Sequence, residues 1–171
     1  MGVVKEMIIV EERLEEMFNT LPMIQTSNGY FQPIFMYGDQ KELNAFLKTS
    51  IGSDKPYPLI WLVYPYEENH TRTHVDIQRL SLILAVETNN AMLNPERMEN
   101  TFKTVLVPLW NNIRHLFNAS GTIDVNQEYD IIKFPNYGET DTESESIDVW
   151  DALKVTFKCK INNYCLKQII Y

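Results

Sequence analysis

The stretch Pro58-Leu59-Ile60-Trp61-Leu62-Val63-Tyr64, followed closely by the long segment Thr73 to Thr88, decides how this chain is read. The first is apolar at consecutive positions and flanked by Lys55-Pro56-Tyr57-Pro58, which forces extended backbone ahead of it. A run apolar on both sides suits a strand covered on both faces, so Leu59 to Tyr64 is expected as the central strand. In the second, the apolar alternation begins on odd positions, Val75 and Ile77, and then moves to even ones, Leu80, Leu82, Leu84 and Val86. A phase change of one residue within a continuous strand is the signature of a β-bulge, placed near Gln78-Arg79.

Working outward, Asn94-Pro95-Glu96 offers an N-cap side chain, a proline at the first helical position and an acid in the first turn. Phe102, Val105, Leu106, Leu109, Ile113, Leu116 and Phe117 continue it as a helical stripe. Pro108 is expected to kink the helix, because its ring removes one hydrogen bond and crowds the carbonyl of Thr104. Val4, Met7, Ile8, Leu14, Met17 and Phe18 give an N-terminal amphipathic helix ending near Leu21-Pro22. Tyr30 to Tyr37 reads as one short strand, put at an edge by Pro33. Asp39 and Glu42 have the form of a capping box opening a short helix, about Gln40 to Lys48, with Leu43, Phe46 and Leu47 inward. Tyr129 to Phe134 reads as a strand, and Pro135 to Ser146 as a polar loop. Leu153, Val155, Phe157, Cys159 and Ile161 alternate with Lys154, Thr156, Lys158 and Lys160, the cleanest half-buried strand in the chain. The expected fold class is therefore α+β, a single domain over residues 1–171. A twisted, mostly antiparallel sheet packs with amphipathic helices, and a flexible acidic loop spans about residues 135–148.

Composition narrows the function classes. A chain of 171 residues, 44% hydrophobic and 22% charged, holds one domain with a substantial core. With 15 Lys+Arg against 23 Asp+Glu the net charge is −8, so neutralising phosphates is not this surface's main task and tight nucleic-acid binding is not expected. Cys159 and Cys165 are too few for a disulfide scaffold and read as free thiols of a reducing cytoplasm. The acidic cluster Glu11, Glu12, Glu15, Glu16 follows the apolar start directly, unlike a secretory signal. No apolar run approaches the roughly 20 residues that cross a bilayer, so no membrane association is expected.

Each candidate for chemistry has a plainer alternative. His70 and His74 have a spacing that brings two imidazoles to one metal on a helix, but Glu67-Glu68-Asn69 and the threonines around them mark a hairpin tip; no metal is expected there. Glu139, Asp141, Glu143 and Glu145 invite comparison with a calcium loop. Counted from Asp141, however, Ser146 stands where glycine is needed and Ala152 where the bidentate acid belongs. They read as a flexible acidic loop, able either to dock on a lysine face or to present negative charge that repels passing DNA. The lysines Lys154, Lys158 and Lys160 read as a solvated face, as protection of an exposed edge, or as the receiver of a neighbouring subunit's acidic loop. Asp124, Glu128, Asp130 and Lys133 lie near one another without the Glu-x-Lys pattern of metal-dependent nucleases. No nucleophile elbow and no glycine-rich phosphate loop occurs, and no catalytic residue or cofactor is expected. Trp61, Tyr64, Tyr66, Trp110 and Trp150 read as core and interface.

The order of elements resembles the tail-terminator and head–tail connector proteins of tailed bacteriophages. The resemblance is carried by Pro58 to Tyr64, Val75 to Val86, Met98 to Phe117 and Ile147-Asp148-Val149-Trp150-Asp151-Ala152. It implies a small non-catalytic virion subunit, made in the host bacterial cytoplasm. Such a subunit forms a ring, commonly a hexamer, that seals the neck or caps the tail tube beside other neck or tail proteins, with DNA passing through its lumen. The early strand and helix, Tyr30 to Lys48, and the aromatic tail, Tyr164 to Tyr171, depart from that pattern. A cytosolic adaptor or regulatory domain is the alternative, and a metal-dependent hydrolase at His70 and His74 the third reading.

Overall fold

The computed structural model describes residues 7–49, 58–88, 91–137 and 149–162. One path of five strands runs β3-β4-β6-β8-β7, where β3 is Ile34–Gly38, β4 Leu59–Val63, β6 His74–Thr88, β7 Ile123–Tyr137 and β8 Val149–Asn162. Among the described residues only the β3–β4 joint of this path is parallel; the others are antiparallel. Short β5 (Asn69–His70) joins the far end of β6, and β1 (Ile24–Thr26) and β2 (Gly29–Phe31) form a separate hairpin. This is the expected single α+β fold with a mostly antiparallel sheet.

Alternation within the strands builds two cores, one on each face. On the first, Ile60, Leu62, Leu82, Leu84, Val155 and Phe157 meet α1 (Val10–Phe18) and the long helix that starts at Asn94. Val10, Leu14 and Phe18 recur at four-residue steps, and each is at most 1% exposed. Each such burial is worth about 1.5–3 kcal/mol, which fixes α1 to the sheet without a capping side chain. On the second face Leu59, Trp61, Ile83, Ala85, Trp150 and Ala152 pack against Leu43 and Leu47 of α2 (Gln40–Thr49). The expected capping box opens α2: Asp39 N–H donates to Glu42 Oε2 and Glu42 N–H to Asp39 Oδ1, both at 2.8 Å. Just before it, Gly38 has φ +155°, and a Cβ there would lie 2.9 Å from Trp61 and against the Glu42 carboxyl.

The bulge expected near Gln78-Arg79 is present as a register shift against β8 between Ile77 and Leu80. Other expectations change. β4 is buried and covered on both faces, but it stands second from the end of the path, and β6 is central. The Tyr30–Tyr37 segment is two strands, because Gln32-Pro33 interrupts pairing; β3, the part after the proline, does stand at the edge. The first helix begins at Val10, with Met7 to Ile9 non-helical. β7 begins at Ile123 rather than Tyr129 and runs through Pro135, which an edge strand tolerates because half its N–H groups lack a sheet partner.

The helix cap also moves. Asn94 is the first helical residue of α3 (Asn94–Arg97), and the cap is Leu93, whose N–H is taken by Glu96 Oε2 at 2.9 Å. From α3 the backbone passes into a π-helical stretch, Met98–Leu106, and then into α4, Val107–Ala119, with the apolar stripe intact. Val107 N–H reaches back to the carbonyl of Phe102. This wider winding accommodates Pro108, whose ring would crowd the carbonyl of Thr104 in an α-helix.

Candidate assembly surface

The described residues place chemistry-bearing side chains in separate, self-contained groups. Arg97 and Asp151, at 1% and 0% exposure, form a buried ion pair of 2.8 Å. Thr101 Oγ1 stands 2.5 Å from Asp151 Oδ2, and Arg97 Nε donates to the carbonyl of Met92 at 3.0 Å. This network ties the start of the long helix to β8. Glu11 on α1 accepts hydrogen bonds from Tyr64 and from Tyr66, the latter at 2.5 Å, on the turn after β4. Burial pushes the Glu11 carboxyl up, yet the two phenol donors outweigh it and hold the group below the usual carboxylate range. Both tyrosines are pushed well above the ordinary phenol range, by burial first and then by the hydrogen bond to Glu11 and its charge.

The two histidines do not converge. His70 Nε2 lies 2.6 Å from Glu68 and His74 Nε2 2.9 Å from Asp76, and among the described residues no group of three or more His, Cys, Asp or Glu is placed to hold a metal. Cys159 faces the first core at 2% exposure, and burial pushes its thiol up to about 12, so it is no nucleophile at neutral pH. Trp61, Trp110 and Trp150 are all buried, while Tyr64 and Tyr66 pack at the core's rim. Glu139, Asp141, Glu143, Glu145 and Cys165 lie outside the described residues.

Lys154, Lys158 and Lys160 do share the second face of the sheet. The strand that carries them lies between β6 and β7, so they do not protect an edge. Lys160 stands opposite Asp76 on β6 and Asp124 on β7; Thr156, between Lys154 and Lys158, stands opposite Ser81 and Asp130. Opposite charges at such cross-strand positions stabilise by about 0.2–1 kcal/mol each. Lys158 faces a break in register on both sides, Ile77 to Leu80 on β6 and Val125 to Tyr129 on β7. Of the three lysines, Lys160 has acidic residues directly opposite on both sides, whereas Lys154 stands between Ile83 and Ile132.

Part of the apolar exposure sits at the two ends of the sheet, the rest on Met7, Ile9, Met23, Tyr30, Phe31, Leu93 and Val107. Among the described residues β3 and β7 each have one strand neighbour. Tyr37 and Ile34 on β3 are 51% and 39% exposed, and Ile131 and Ile132 on β7 are 40% and 51%. Sequence reading did not single these out. A signal was present in Ile131-Ile132, since adjacent apolar residues point to opposite faces of a strand and one would ordinarily meet water on an uncovered sheet.

No helix among the described residues is long and apolar enough to cross a membrane. No family model and no curated protein matches the chain.

Proposed function

We propose that this protein is a non-catalytic structural subunit that closes into a ring of its own copies, as a tail terminator or head–tail connector in the neck or tail of a tailed bacteriophage. The observation that carries this reading is the pair of apolar sheet edges, β3 and β7, at opposite ends of one sheet. A subunit with two different sticky edges associates head to tail, and such heterologous contacts close into rings when the rotation between copies allows it. Lys160 already has acidic neighbours in its own sheet and Lys154 stands between Ile83 and Ile132, so the edges rather than Lys154, Lys158 and Lys160 are the principal contact. Neck and tail proteins of the particle are the further partners, the host cytoplasm is the place of synthesis, and DNA passes the lumen without being bound tightly.

Electron microscopy of the purified chain across a concentration series, and of the assembled particle, tests this. Closed rings in solution, and several symmetry-related copies around the tail axis, are the expected result. A protein that stays monomeric at all concentrations and is absent from the particle would end the proposal.

A further inference from the structure

The register across the sheet defines four unbroken rows of residues from β3 to β7, of which two end on the exposed Ile131 and Ile132. One runs Tyr37, Leu62, Leu82, Val155, Ile131, and the next runs Met36, Trp61, Ile83, Lys154, Ile132. Each row begins on β3 and ends on β7, and the first has both its ends exposed. We propose that copies join head to tail by pairing β3 of one with β7 of the next, in the register that continues these rows. Tyr37 then lies opposite Ile131 of the next copy, and Met36 opposite Ile132 of the next copy. The inference rests on the ring reading and specifies its joint.

Three observations fix this occupant. The first is strand direction. β3 runs parallel to β4, and each later step along the path reverses, so β3 and β7 run oppositely. A head-to-tail joint that keeps the helices of both copies on the same face is therefore antiparallel. The second is side-chain parity. Tyr37 and Ile131 belong to rows on the first face, Met36 and Ile132 to the second, so the register sets each apolar side chain against a partner on its own face. The third is charge. β3 carries no charged residue, whereas β7 carries three acids, Asp124, Glu128 and Asp130, against one lysine, Lys133. Pairing β7 with β7 of a second copy would bring two acidic strands together, which like-charge repulsion opposes.

The size of the joint favours a ring over a dimer. Five residues of β3 span about 17 Å, far less than the edge of a standard interface burying roughly 1,200–2,000 Å². A single joint is weak, and each copy gains a second one only on closure.

Cysteine pairing tests the register. Tyr37 and Ile131 of the same chain are four strand spacings apart, roughly 19 Å, beyond the roughly 7 Å Cα separation that a disulfide tolerates. In the full chain with Cys165→Ser, the double variant Tyr37→Cys/Ile131→Cys should give a ladder of covalent multimers on oxidation, ending at the ring size. Each single cysteine variant should stop at a dimer. A second pair, Tyr37→Lys and Ile131→Glu, should lose assembly singly and regain it together, with circular dichroism unchanged. Rings in the wild type without a ladder and without charge-pair rescue would overturn this joint and leave the ring. Neither rings nor a ladder up to the solubility limit would overturn both.

Discussion

Asp151 stands in β8 between Trp150 and Ala152, fully buried, and Arg97 and Thr101 reach its charge from the long helix. Removing it leaves a guanidinium inside the protein with too little compensation. Asp151→Ala should therefore cost about 3–5 kcal/mol, read as a lower urea midpoint with unchanged slope, and Asp151→Asn less. Glu11 sets a different test, because its carboxyl is held low by Tyr64 and Tyr66. A carboxyl whose folded value lies below its unfolded value stabilises fully above the unfolded value, about 4.3, and loses that contribution as pH falls through the folded one. The tyrosines shift upward, so their contribution is full below about pH 10 and fades as pH climbs past it. Unfolding followed against pH should show both losses in the wild type, and both should shrink in Tyr64→Phe/Tyr66→Phe.

At the scale of elements, local signals were legible and non-local ones were not. The Asp39–Glu42 box and the bulge after Ile77 are written within a few residues, and both formed as read. The position of β4 beside the edge strand depends on which strands pair, which no spacing within Leu59 to Tyr64 records. β1 is three residues long, too short for alternation to mark it. Asn94 lost the cap because Glu96 takes the amide of Leu93, one residue earlier. Pro108 was seen, but how the chain accommodates it was not, since the apolar stripe keeps its faces buried through π and α winding alike. Pro108→Ala should keep the helix content by circular dichroism and be no less stable than the wild type, because it restores an N–H and removes a ring. Gly38→Ala should cost about 1–3 kcal/mol in denaturant unfolding, since its backbone disfavours a side chain and the added methyl would press on Trp61 and disturb the cap of α2. The candidate surface was only half visible: the lysine column follows from parity, but the acidic neighbours of Lys160 and the exposed Tyr37 and Ile131 appear only once strand order is known.

For the whole molecule, the proposed joint brings Asp130 and Lys133 of β7 against an uncharged β3, so it contains no ion pair between copies for salt to screen. Ring formation measured by mass photometry should therefore change little when salt is raised from low to physiological strength, where the Debye length is about 8 Å; a steep loss with salt would point to the lysine column instead. The rows that end at Tyr37 and Ile131 and at Met36 and Ile132 lie in the half of the sheet that α2 and the long helix cover from both sides. Beyond Lys158, where β6 and β7 both slip register, the second face is polar. In the proposed ring, load passed from copy to copy would therefore run through the half of the sheet walled on both faces, while the half holding β5, whose Val75, Ile77 and Ile161 are buried on one face only, would stand outside that belt.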